Sequence, residues 1–109
     1  MRFMRATLQT LEQTIRQRRS ADPSTSYVAK LAARGRAKIA QKVGEEAVET
    51  VIAAMADDRT DIVGESADLI FHLMMLLADM DVPFDAVLDE LDRREGVSGI
   101  AEKAARPKG

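Results

Sequence analysis

Cysteine and tryptophan are absent from the 109-residue chain, and tyrosine and histidine occur once each. Without thiols there is no disulfide, no thiolate nucleophile and no cysteine metal site, which fits a reducing compartment and a cytoplasmic protein. A single histidine leaves no zinc-ligand cluster, and it excludes a di-iron bundle, which needs Glu-x-x-His motifs on two helices. Aromatic residues make up 4% of the chain, while Ala, Leu, Val and Met abound, a balance that favours helix over strand. The six glycines form neither a Gly-x-x-x-x-Gly-Lys loop nor a Gly-x-Gly-x-x-Gly turn. A nucleotide would therefore be held by metal and cations rather than by a glycine cradle. Excess positive charge is missing too: the net charge of −2 argues against a nucleic-acid or membrane-surface binder. The longest apolar run, Leu69 to Ala78 with His72 inside it, is about half of the roughly 20 residues a bilayer needs. Arg2 and Arg5 are followed by no sustained apolar core, so the N-terminus does not read as a secretory signal.

What is present is a chain of one-domain length, 46% hydrophobic, with helical periodicity almost throughout. Leu8, Leu11 and Ile15 predict a first helix from about Arg5 to Arg19, broken by Ala21-Asp22-Pro23-Ser24. Ser26 is placed to cap a short second helix carrying Tyr27, Val28 and Leu31, which Gly35 ends. A long amphipathic helix is expected from Arg36 to Asp57, a break at Asp58-Arg59-Thr60, and another helix from Asp61 to Met80. Pro83 opens a last helix running to about Arg94. The expected architecture is an all-α bundle of four to five helices around a central antiparallel hairpin, occupying residues 1–95. A polar, loose tail is expected over 96–109. The third and fourth helices carry more apolar surface than one subunit of this size can cover, which points to a homodimer.

Into these two helices are set Glu46-x-x-Glu49, preceded by Glu45, and Glu65-x-x-Asp68. Carboxylates three or four apart on a helix stand roughly 5–6 Å apart. At an effective dielectric of 20 such a like-charged pair costs about 3 kcal/mol, more than helix propensity offsets. A cation between them removes that cost, and Mg²⁺ fits because it is commonly shared between a few carboxylates and substrate phosphates. At 100° per residue, Lys38, Lys42, Glu45, Glu46 and Glu49 fall in one sector of the third helix, while Asp61, Glu65, Asp68, His72 and Asp79 form one polar stripe on an otherwise apolar fourth. The plainer alternatives are a solvated acidic face for Glu45, surface ion pairs for Lys38 and Lys42, and a satisfied, semi-buried imidazole for His72. Met74, Met75 and Met80 read as core filler.

Longer blocks carry a resemblance: Ser26-Tyr27-Val28-Ala29-Lys30-Leu31, Gly35, then Lys38-Ile39-Ala40-Gln41-Lys42-Val43-Gly44-Glu45-Glu46-Ala47-Val48-Glu49, and Glu65-Ser66-Ala67-Asp68-Leu69-Ile70-Phe71-His72-Leu73. They resemble the phosphoribosyl-ATP pyrophosphatases, a family of the all-α, MazG-like nucleoside triphosphate pyrophosphohydrolases, in its free-standing form. The likeness runs from the first helix to Ser98-Gly99-Ile100-Ala101-Glu102-Lys103. Phe71 stands where that family often has Tyr, which removes a hydroxyl.

The resemblance implies hydrolysis of 1-(5-phosphoribosyl)-ATP to 1-(5-phosphoribosyl)-AMP and pyrophosphate, the second step of histidine biosynthesis, by a homodimer. On that reading Glu46, Glu49, Glu65 and Asp68 ligate Mg²⁺, and Glu45 orients or deprotonates the attacking water. Lys38 and Lys42 neutralise the triphosphate, Lys30 and Arg34 reach the ribose phosphate, and His72 touches either the substrate base or Asp68. Two other functions fit the acidic pairs alone: a house-cleaning pyrophosphohydrolase of ordinary or noncanonical nucleoside triphosphates, and a non-enzymatic helical dimer.

Overall fold

The structure, a computed structural model, describes residues 2–96 and 103. Among these are five helices and no strand: α1 (Arg2–Arg18), α2 (Tyr27–Arg34), α3 (Arg36–Met55), α4 (Arg59–Asp79) and α5 (Phe84–Arg94). The expected all-α class and helix order hold. Most of the anticipated tail lies outside the described residues.

Local chemistry sets the helix ends. Ser26 caps α2, its hydroxyl accepting from the Ala29 N–H at 3.2 Å. Gly35 ends α2 and starts α3 with φ 92° and ψ 170°, a conformation open in practice only to glycine. The break between α3 and α4 falls earlier than expected. Asp57 takes the left-handed turn position at φ 54°, and Asp58 then caps α4 by accepting from the Asp61 N–H at 2.9 Å. Arg59 and Thr60, expected in the break, are therefore helical. Pro83 precedes α5 but has no side-chain acceptor, and Glu12 of α1 supplies one, taking the Phe84 N–H at 2.7 Å.

The central element is the α3–α4 hairpin. Its antiparallel register is fixed at the base, where Arg36 at the start of α3 donates to Asp79 at the end of α4 at 2.7 Å. The same antiparallel pairing brings Glu46 and Glu49 of α3 beside Glu65 of α4. At this base end α1 and α2 pack over the hairpin, burying Ile15, Val28, Leu31, Ile39, Met74, Met75 and Ala78 in one core. Met74 and Met75 fill that core as expected, whereas Met80, at the C-cap of α4, is half exposed.

Toward the tip, no layer covers the hairpin among the described residues. A helix apolar nearly all round is expected to be a buried one, but only the C-terminal part of α4 is buried, at His72, Met74, Met75 and Ala78. Val63 and Ile70 are exposed, as are Val48, Val51, Ile52 and Met55 on α3. Among the described residues, no helix is long and apolar enough to cross a membrane.

Candidate active site

The hairpin register brings carboxylates from both helices together. One oxygen each from Glu46, Glu49 and Glu65 lies within 4.8 Å of the others. Glu46 is only 7% exposed, and its Oε2, like Oε2 of Glu65, is buried without a hydrogen-bond partner. Buried polar atoms are normally paired, so two unpartnered carboxylate oxygens in one acidic cluster fit an oxygen-seeking cation. The donor set, all carboxylate oxygen, suits Mg²⁺ or another hard divalent ion.

The cluster's carboxylates repel one another. Glu65 is raised to about 7, first by a proton shared with Glu49, then by burial and by the negative charges of Glu49, Asp61 and Glu46. A carboxyl that binds its proton more tightly folded than unfolded adds stability below its unfolded pKa of about 4.5, and that stability is lost as pH rises through about 7. The metal-free melting temperature is therefore expected to fall between pH 5 and pH 8. Saturating Mg²⁺, which favours the ionised form, should flatten that slope. Calorimetry in EDTA and in Mg²⁺ tests this, and a metal-free melting temperature that climbs over the interval would contradict it.

Asp68 stands outside the three-carboxylate group. It is exposed, and its backbone carbonyl takes the Nδ1 hydrogen of His72 at 2.7 Å. Since a carbonyl only accepts, Nδ1 carries the proton, and in the neutral ring Nε2 is left to accept from the Tyr27 hydroxyl at 2.7 Å. His72 is thus 6% exposed with both nitrogens engaged, which matches the plainer reading of that residue. Burial chiefly, with Glu46, Asp68 and Glu45 adding to it against Lys42, raises the Tyr27 phenol above its ordinary pKa.

The cations lie beside the acids. Lys42 reaches Glu45 at 3.4 Å and Glu46 at 3.6 Å. Burial pushes its ammonium pKa down, but Glu45, Tyr27 and Glu46 outweigh that and raise it. The Gln41 amide donates to Glu45 at 3.0 Å and, against burial and helped by Lys42 and Lys38, holds this carboxyl below its usual pKa. Lys30, Arg34, Lys38 and Lys42 line one cleft of about 260 Å³, with Tyr27 and Leu31 as its apolar wall and Glu45 at its edge.

The structure so brings Glu46, Glu49 and Glu65 into one cluster and the four cations with Glu45 into the adjoining cleft. His72 sits against Tyr27, and Asp68 stays outside the cluster with its side chain exposed. Sequence reasoning gave Tyr27 no part in the site, although its position as the chain's single tyrosine, next to a helix cap, was a signal.

Comparison with known proteins returns relatives of a single kind. The family model described as phosphoribosyl-ATP pyrophosphohydrolase matches residues 8–95. A phosphoribosyl-ATP pyrophosphatase of Rhizorhabdus wittichii is 72% identical over 106 residues, covering 97% of this chain and all of the relative. One from Novosphingobium aromaticivorans is 71% identical, over 91% of this chain and 92% of the relative. A third, from Zymomonas mobilis, is 63% identical, over 94% and 95%.

Proposed function

The chain belongs to the phosphoribosyl-ATP pyrophosphohydrolase family, and we propose that it hydrolyses 1-(5-phosphoribosyl)-ATP to 1-(5-phosphoribosyl)-AMP and pyrophosphate with Mg²⁺ held by Glu46, Glu49 and Glu65. The observation that carries the metal assignment is the pair of orphaned oxygens, Glu46 Oε2 and Glu65 Oε2, within a three-carboxylate cluster. Asp68, one turn beyond Glu65, is the fourth ligand on this reading, reached by rotation of its exposed side chain. Held by these carboxylates, Mg²⁺ would supply charge neutralisation and a more acidic water.

The chain's own groups do the rest. Lys42, oriented by Glu45 and Glu46, and Lys38 offset the charge that builds on the leaving pyrophosphate. Glu45, ionised because its pKa is lowered, accepts a hydrogen bond from the attacking water and so aligns it. A low proton affinity makes it an orienting group more than a strong base. Lys30 and Arg34, farther along the cleft, receive the phosphate of the second ribose. His72 acts through Tyr27 rather than by touching the base.

We further propose a homodimer formed through the exposed face of Val48, Val51, Ile52 and Met55 with Val63 and Ile70, and a cytoplasmic location in keeping with biosynthetic chemistry. Phosphoribosyl-ATP, ATP and dUTP incubated in parallel, with and without Mg²⁺, test the reaction. Pyrophosphate release from phosphoribosyl-ATP alone, and only with a divalent cation, is expected. Faster turnover of ATP or dUTP would instead favour a house-cleaning activity.

A further inference from the structure

We propose that Tyr27 is a substrate-contacting, specificity-determining residue whose ring forms the surface on which the purine of the substrate stacks. The assignment rests on the phosphoribosyl-ATP reading above and adds to it the group that recognises the base.

Three observations carry it. First, Tyr27 is 50% exposed, yet its hydroxyl is not spent on water: it is fixed to His72 at 2.7 Å. The ring is also set against Phe71 and His72, with centroids 6.1 and 5.8 Å away. An aromatic ring serving only the core would be covered. Here one part is clamped and the other stands open, a pre-organised apolar platform rather than a mobile surface side chain.

Second, the platform stands where the acids give way to the cations. Glu46 and Asp68 are near enough to act on its hydroxyl, and the ring itself walls the cleft that holds Lys30, Arg34, Lys38 and Lys42. It also borders a second cavity of about 570 Å³, with Ser24, Thr25 and Ser26 on its rim. A nucleotide with its triphosphate at the acidic cluster and a further phosphate among the cations must pass its base across this ring.

Third, the neighbouring aromatic residues are committed elsewhere. Phe71 and Phe84 pack against the core, and the cleft's remaining apolar lining is Leu31, itself buried. Cations and carboxylates recognise phosphate and metal but not a base, whereas an aromatic face does. Stacking of a base on such a face is typically worth roughly ten- to a hundredfold in affinity.

The test compares wild type, Tyr27→Leu and Tyr27→Phe in the full chain with saturating Mg²⁺, reading KM and kcat for phosphoribosyl-ATP and inhibition by inorganic pyrophosphate, which has no base. Tyr27→Leu is expected to raise KM about tenfold or more with a much smaller change in kcat and unchanged pyrophosphate inhibition. Tyr27→Phe, which keeps the ring, should recover KM to within about threefold of wild type. A KM within twofold of wild type for the Leu variant overturns the assignment. So does equal impairment of both variants, which would make the hydroxyl the contact, or parallel weakening of pyrophosphate inhibition, which would show a general distortion. If the Leu variant loses its helical circular-dichroism signal, Tyr27→Met is judged by the same criteria. A wild-type chain that releases no pyrophosphate from phosphoribosyl-ATP would sink the proposed reaction. An active wild type with an indifferent Leu variant sinks only the role of Tyr27.

Discussion

Glu49→Gln is expected to lower Mg²⁺-supported pyrophosphate release by roughly a thousandfold or more while leaving the helical circular-dichroism signal unchanged. The factor follows from the several kcal/mol that a bound metal contributes to stabilising charge at a phosphoryl centre, at about 1.4 kcal/mol per tenfold in rate. Glutamine preserves the length and shape of the side chain but withdraws one of three negative charges converging within 4.8 Å. The fold should survive because Glu49 is exposed and carries no core contact. The same argument gives an unusual companion result. Glu65 is raised to about 7 by sharing a proton with Glu49, by burial and by the surrounding negative charge. Removing one carboxylate relieves that repulsion, so the metal-free melting temperature of Glu49→Gln should rise at pH 8, where the wild-type cluster is ionised, and the stabilisation by added Mg²⁺ should shrink. A site tuned for a cation is destabilising without one. Asp68→Asn discriminates further: a comparable loss of turnover is expected if its carboxylate completes the ligand set. Near-normal release by Glu49→Gln would remove the metal assignment altogether.

Why these residues were legible beforehand, and others not, follows from how far apart in sequence their interactions lie. Helix ends are local, and the Ser26 cap and the Gly35 elbow depend on neighbours within four residues. The opposition of Glu46 and Glu49 to Glu65 needed one non-local step, the antiparallel pairing that a short connection between two long helices imposes. The start of α4 was misplaced because Asp58 and Asp61 look alike in composition. Only the left-handed turn at Asp57 decides which aspartate caps the helix. The Tyr27–His72 bond joins residues 45 apart on helices that periodicity describes only one at a time. Asp68 shows the limit from the other side. Its backbone position on the stripe is set by helical spacing, but whether its carboxylate turns inward depends on side-chain rotation, which spacing does not encode.

The exposed apolar half of the hairpin yields the second large effect: Ile52→Glu should convert the proposed dimer to monomer at micromolar concentration in sedimentation. Val48, Val51, Ile52 and Met55 recur at the three- and four-residue spacing of a single helical face, and all are more than half exposed, Met55 at 82%. Contiguous apolar surface of this kind marks an interaction face, and a stable interface buries on the order of 800 Å² per partner. A carboxylate placed within it must be desolvated without a counter-ion, at several kcal/mol, enough to weaken association by roughly a thousandfold. Because Ile52 is exposed within the chain's own fold, the variant monomer should keep its helices. Leu91→Glu supplies the control, since Leu91 is comparably exposed but lies on α5 rather than on the hairpin, and should leave the oligomer intact. Activity connects this face to the site. The acidic cluster occupies the same half of the hairpin, so in the proposed dimer a second copy laid along it would shield the cluster from water and strengthen every charge interaction within it. Turnover per chain is therefore expected to fall with the dimer fraction as Ile52→Glu is diluted. A fully active monomer would separate the two roles of the hairpin, and a variant that stays dimeric would show that the chains associate through another surface.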